Sequence, residues 1–473
     1  MTEIITHKAR RFYMKKILYL FLFLCIALSF CLLTLSSCNE YPPADHTTES
    51  SASSDSTSST EKEEPTEPVE AIGLKYTVNS DKKTCTITGV GKCKDTHIFI
   101  NEYIDGYRVT AIGSSAFKNC GTLISVTLPS SVETIGKYAF ENCKNLQEII
   151  LPDSLTAIEK YAFENCASLP CVRLPESLES IGTCAFKGCN GITEITIPES
   201  VISIEKDIFY KANNLSTVYY NSSYSSSSND FLNTKSITKI VFGGETIPEF
   251  ICKKCEYLTD IVIEDTVQSI GGGAFFLCSS IKEITVPDSV LSIGYGAFSF
   301  CGALIDITLP EGLSAISDST FQNCSALTNI TIPESVTSIG IEAFLGCTAL
   351  TSVKLPEKLT HIDIGAFRDC TALTDITIPE GITEISDETF KNCSSLSSAI
   401  LPGGLESIGD WAFSYTGLKI IYFDGKEEEW LAVKKDFGWN NGMRDCEFLF
   451  EDSNSKEDPE ENGTLEETAQ NQN

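Results

Sequence analysis

Histidine is nearly missing from this sequence. His7, His46, His97 and His361 are scattered along 473 residues, too far apart to propose a metal or catalytic cluster. Positive charge is also scarce. Thirty-five Lys and Arg face sixty-five Asp and Glu, a formal net charge of −30, and no basic block follows Lys16. That excludes a nucleic-acid partner, because binding phosphates needs a cationic surface that displaces counterions. No Gly-x-Ser-x-Gly, His-Glu-x-x-His or phosphate-binding Gly loop is present, so the common hydrolase, metalloprotease and nucleotide-binding classes lose their signatures. Apolar material is not lacking. At 42% hydrophobic and 10% aromatic residues, the chain has enough for an extensive core.

The first forty residues carry an address. Lys8, Arg10, Arg11, Lys15 and Lys16 precede an apolar run from Ile17 to Leu33, which ends at Leu35-Ser36-Ser37-Cys38. A basic head, an apolar middle and small residues before a cut describe an export signal over 1–37, and Met14 could start it as well as Met1. Leu35-Ser36-Ser37-Cys38 resembles the bacterial lipobox, which implies cleavage between Ser37 and Cys38 and lipidation of Cys38. A run this short is barely enough to span a bilayer as a helix. Residues 38–70 are rich in Ser, Thr, Glu and Pro, and read as a solvated tether that cannot bury surface. Lipid, tether and folded body is the order of an exported protein whose only membrane contact is its N-terminal lipid.

The body repeats. Phe117, Phe140, Phe163, Phe186 and Phe209 are twenty-three residues apart, and so are Phe275, Phe298, Phe321, Phe344, Phe367, Phe390 and Phe413. The interval from Phe209 to Phe275 is three residues short of three repeats, which leaves room for two degenerate units around an irregular break near 213–250. Such a period marks a solenoid rather than several globular domains. The unit reads Leu-Pro-x-x-Leu-x-x-Ile-Gly-x-x-Ala-Phe-x-x-Cys-x-x-Leu-x-x-Ile-x. Alternate apolar residues such as Ile330 and Ile332 predict one short strand with an exposed outer face. Ten of the seventeen prolines, Pro129 and Pro333 among them, follow that strand at one phase, where a residue without an N–H stops the ladder. The three-residue spacing of Ala-Phe-x-x-Cys-x-x-Leu predicts a single helical or 3₁₀ turn with Phe, Cys and Leu inward.

These residues resemble the BspA-type leucine-rich repeat of bacterial surface proteins. The resemblance implies a β-rich, right-handed, curved solenoid with short helical turns, of about fourteen 23-residue coils, over residues 106–425. A hairpin-like N-terminal cap is expected at 71–105 and a mixed C-terminal cap at 426–450. Residues 451–473 read as an acidic, disordered tail.

Twenty cysteines in an exported chain invite a disulfide framework. Spacing argues for packing instead. Eleven of them stand three residues after the Phe phase, with Ala212 and Thr416 replacing them elsewhere, so the site wants a small buried residue. Oxidation between neighbouring coils is the competing reading. Cys252-Lys253-Lys254-Cys255 looks like half a zinc or redox motif but occupies two inward phases, and no second pair completes a site. Cys85 and Cys93 flank the cap hairpin and are the best disulfide candidates. No metal or other cofactor is expected. Calcium could bridge carboxylates one coil apart, but no Asp-rich loop supplies its six to eight oxygens.

If Ile149 points inward, its neighbours point outward, and two exposed columns result. One holds Glu148, Glu194, Asp260, Glu283, Asp306, Asn329 and Asp375; the other holds Arg173 and Lys354 among Thr and Ile. This acidic strand face is the candidate binding face. Equally, scattered carboxylates and Thr are what keep an exposed sheet soluble. The small residues Thr134, Ser180, Ser203, Ser269, Ser292, Ser338 and Ser407, one before the repeat Ile, read as close coil packing.

By the resemblance, the function is a non-catalytic adhesin or protein-binding scaffold, monomeric in its body, for host extracellular or microbial surface proteins. Catalysis needs unlike groups in one pocket, and a regular coil encloses none. Carbohydrate binding would need an aromatic platform, with Tyr219, Tyr220 and Tyr224 or Trp430 and Trp439 as candidates, although such aromatics are more often the core of a cap or loop. A structural spacer is the remaining alternative.

Overall fold

The computed structural model describes residues 73–92, 94–224 and 235–451. The expected signal, Ser37, Cys38, the tether, Cys93 and nearly all of the acidic tail lie outside them. Within them the chain winds as a β-solenoid of about 15 turns with coils of about 23 residues and almost no helix. That is one turn more than the repeat count predicts.

Each coil has three sides, and the sequence reveals one of its two strands. The first is the expected long strand, as in Asn329–Thr331, whose central Ile330 is buried between exposed neighbours. It pairs in parallel with Ser352–Lys354 of the next coil, Asn329 opposite Ser352. After the proline a second strand of two residues follows, as in Ser338–Ile339, paired in parallel with His361–Ile362. The column of small residues before the repeat Ile is therefore a second ladder. Two residues are too few to display a period of two in sequence.

The third side is not helical. Gln322 and Cys324 donate N–H bonds to the carbonyls of Ser319 and Phe321, three residues back, as a tight turn requires. Between them, the N–H groups of Ser319, Phe321 and Asn323 reach the next coil instead, to Ile341, Ala343 and Leu345 at 2.8, 2.8 and 2.7 Å. Ser319 and Asn323 have positive φ, 54° and 58°, so no helix can propagate. The same two phases are left-handed in coil after coil, at a cost of about 1 kcal/mol per non-Gly residue. Inter-coil bonding on all three sides offsets it.

Inside, the Phe rings form a stack. Phe321 lies 5.7 Å from Phe298 and 5.3 Å from Phe344, with planes 4° and 16° apart, and all three are fully buried. The spacing follows from the coil repeat of about 4.8 Å set by strand pairing. Beside the stack run the cysteines. The thiol of Cys324 donates to the carbonyl of Phe298 at 3.1 Å, and Cys143, Cys166, Cys189, Cys301, Cys347, Cys370 and Cys393 repeat the bond to the Phe twenty-six residues earlier. A small apolar residue with one weak donor fits that slot.

The break at 213–250 leaves the long strands paired. The long-strand ladder runs through it, from Glu194 to Thr217, Lys239 and Asp260. Those coils span 23, 22 and 21 residues, which accounts for the missing three. Among the described residues, the short-strand ladder reaches Ser203–Ile204 and is next seen at Thr246–Ile247. Where Cys252 replaces Phe, the stack is bridged from the strand side. The rings of Tyr220 and Phe242 lie 6.2 Å apart, and Phe242 meets Phe275 edge-on at 5.9 Å.

The first elements are an antiparallel hairpin, Lys75–Val78 with Thr84–Gly89, whose second strand joins the short-strand ladder through Tyr107–Ile112. At the far end, 426–450 is built as one more coil. Helix Glu427–Ala432 precedes the short strand Lys434–Lys435, and Glu447–Phe450 adds a long strand to Ile420–Asp424.

Phe321→Ala removes two ring contacts from a packed stack and is expected to lower stability by about 3–5 kcal/mol. Urea unfolding followed by circular dichroism measures it. A loss under about 1 kcal/mol would show that the stack is not what binds the coils together.

Candidate interaction faces

The long-strand ladder carries the candidate face. Its inward residues, Ile149, Ile195, Ile261, Ile284, Ile307, Ile330, Val353 and Ile376, are buried. Glu148, Glu194, Asp260, Glu283, Asp306, Asn329 and Asp375 are all exposed in the column before them, and Arg173 and Lys354 are exposed in the column after. Pairing places Glu283 opposite Asp306 across adjacent coils. Like charges one strand apart repel, an unfavourable pairing that the hydrogen-bonded ladder carries.

Two details differ from the simple columns. Arg173 and Cys171 are not in a strand, and the ladder lapses there. In the preceding coil, the N–H of Gln147 donates to Ile124 at 2.8 Å; the equivalent position one coil later is Pro170, which has no N–H to give. The columns also gain members inside the break, Thr217 and Lys239 in the first, Tyr219 and Val241 in the second. The alternation of buried Val218 and Tyr220 with Thr217 and Tyr219 was the available signal for the first of these coils. Lys239 pairs with Asp260 at 2.9 Å and Lys354 with Glu334 at 3.0 Å, so these cations neutralise neighbouring acids. The bond from Lys354 holds the Glu334 carboxyl below its usual value.

The aromatic platform read from the sequence is taken apart. Tyr220 is 1% exposed, with its hydroxyl donating to the Tyr224 carbonyl at 2.7 Å, and Trp430 is buried under Phe423 and Phe448. Tyr219, Tyr224 and Trp439 are half-buried. Cys252 and Cys255 are buried at the two inward phases of one coil. Cys85 is a free, buried thiol facing the Tyr107 carbonyl. Among the described residues no group of three or more His, Cys, Asp or Glu is placed to hold a metal ion, and no helix is long and apolar enough to cross a membrane. A shallow cleft of about 450 Å³ beside the short strands is lined by Lys137, Glu159, Lys160, Ser180, Ser203 and Glu205. Its charges serve the coil: Lys160 pairs with Glu205 at 3.3 Å, and the Lys137 N–H donates to Glu159 at 2.9 Å.

A two-ladder solenoid with a Phe and Cys spine and polar outer columns defines the leucine-rich-repeat class. The family model of the BspA type leucine rich repeat region matches six copies over residues 110–242, 245–340 and 314–430. The chain belongs to that family, whose members are typically bacterial surface proteins. A leucine-rich repeat protein of Bacteroides ovatus is similar to it over 80% of this chain and 98% of its own, at 28% identity and a TM-score of 0.53. A leucine rich cell surface protein of Faecalibacterium prausnitzii is 26% identical over 78% of this chain and 97% of its own, with a TM-score of 0.35. No curated protein matches the sequence.

Burial raises the thiols of Cys143, Cys189, Cys301, Cys347 and Cys393 from 9.0 to about 12. An unfolded thiol ionises near its ordinary value while the folded one keeps its proton, so this stabilisation is complete below about pH 9 and is lost as pH rises toward 12. The melting temperature is expected to fall across that window. In native protein at neutral pH, iodoacetamide is expected to label exposed Cys171 while leaving these five unmodified. Mass spectrometry showing equal labelling would contradict a buried ladder.

Proposed function

We propose that this chain is a non-catalytic, lipid-anchored bacterial surface protein, an adhesin or protein-binding scaffold whose long-strand face holds a protein partner. One observation carries the reading: the exposed acidic column stands at fixed register over a rigid hydrogen-bonded ladder, so its spacing is set before any partner arrives. Preorganised side chains lose little entropy on binding, and charge complementarity selects a partner with a basic face. The same regularity works against catalysis, because equivalent positions repeat like groups instead of gathering unlike ones. The family's habit of occurring at bacterial surfaces agrees with the lipobox-like residues ending at Cys38 and with a host extracellular or microbial surface protein as partner.

The experiment displays the full chain on cells and measures retention of extracellular-matrix proteins. Wild type is expected to hold them. The Cys38→Ala chain is expected in the culture medium, leaving cells without binding. The E283K/D306K/D375K chain is expected on the cell with binding reduced about tenfold and with greater loss at low salt. Undiminished binding by the triple variant would remove the acidic column from the mechanism.

A further inference from the structure

The turn side of the solenoid offers a second surface, unlike the strand face in chemistry. Its two left-handed phases often carry Asn, Gly, Asp, Ser or Glu, while Tyr138, Tyr161, Phe250 and Phe300 each put one ring there. Among the described coils, that of Phe413 puts aromatic rings at both phases. Trp411 and Tyr415 stand there with φ of 57° and 59°, a conformation that disfavours bulky side chains. Both rings stay open to solvent, Trp411 37% and Tyr415 60% exposed.

The next coil makes room for both rings. Gly438 and Gly442 occupy the same two phases one coil further on, also at positive φ. A Cβ on Gly438 would come within 2.5 Å of the Trp411 indole, and one on Gly442 within 3.0 Å of the Tyr415 ring. The rings therefore lie over bare backbone, held by the bonds Trp411 N–H to Phe437 and Tyr415 N–H to Asn441 at 3.2 and 2.6 Å. Phe437 adds a third ring, 73% exposed, 6.4 Å from Trp411 and tilted 53° to it, so the rings form an angled rather than a flat patch. Sequence repeats alone hide this cluster, because Trp411 and Tyr415 come from one coil and Phe437 from the next.

We propose that Trp411, Tyr415 and Phe437 form a stacking platform for a neutral glycan chain. Size and charge select that ligand. A specific protein interface buries about 800 Å² on each side, more than three partly covered rings of about 150–250 Å² can supply. A few sugar rings match the patch. Their C–H edges carry the slight positive charge that the negative faces of aromatic rings attract. Lys391 lies 4.1 Å from the indole centre but is already paired with Glu388 at 2.5 Å, so the cation over the indole is committed to a carboxylate. Exposed Asn440, Asn441 and Asp410 at the rim supply partners for hydroxyl groups.

The test runs the full chain through gels containing laminarin, arabinoxylan or galactomannan. At least one is expected to retard wild type, with affinity falling about tenfold in Trp411→Gly and in Tyr415→Asn. Gly and Asn suit positive φ, so both variants are expected to melt at or above the wild-type temperature, whereas a purely structural role predicts a lower one. E283K/D306K/D375K is expected to keep the retardation, which separates this site from the strand face. Failure of all three polysaccharides to retard wild type, or equal retardation of the variants, overturns the proposal. So does a wild-type chain that dimerises in sedimentation when Trp411→Gly does not, because the patch would then belong to self-association.

Discussion

No coil of this protein holds the atoms needed to cover its own apolar side. A single turn of about 23 residues presents one Phe, one Cys and a few aliphatic residues, and its neighbours supply the rest of their surroundings. Everything else follows from that dependence. Strand pairing fixes the interval, the interval brings Phe ring onto Phe ring, and the ring stack leaves most of the Phe carbonyls facing a thiol from the next coil. Small hydroxyls extend the scheme: Ser154, Ser177 and Ser200 each bond to a carbonyl twenty-two residues earlier, at 2.7 to 2.8 Å.

Because register is shared by all three sides, a defect on one side can be absorbed by the others. Pro170 removes one donor and the strand assignment lapses, yet Leu169 and Val172 remain buried in the continuous core. At the break the long strands continue, and Tyr220 and Phe242 fill the core from the strand wall. Such compensation is what nearest-neighbour stabilisation permits. It also frees the outer positions to vary, and they do so differently on each side, acidic over the long strands and aromatic at the turns of the last coils.

The period of the solenoid, its inward Phe, Cys and Ile residues, and the exposed acidic column were all legible in the sequence, since each recurs at one phase. What escaped has a physical reason in each case. The second strand is two residues long and shows no alternation. The turn mimics helical spacing through its three-residue rhythm, and only the left-handed residues reveal that the backbone cannot be helical. The aromatic platform weighed from the sequence gives way to the core reading it competed with: Tyr220 and Trp430 are buried. The exposed cluster that does exist depends on glycines one coil away from the rings they accommodate, a relation across coils that no local window contains.

Excision of whole or partial coils tests mutual shelter most directly. Removing residues 329–351 deletes one coil and joins two that are already in register, so the shortened chain is predicted to unfold cooperatively and to keep Cys324 and Cys370 protected from alkylation. Removing 329–340 deletes both strands of a coil but leaves its turn, and is predicted to expose those thiols and abolish the cooperative transition. If the two excisions behave alike, the coils do not stabilise one another in the way described.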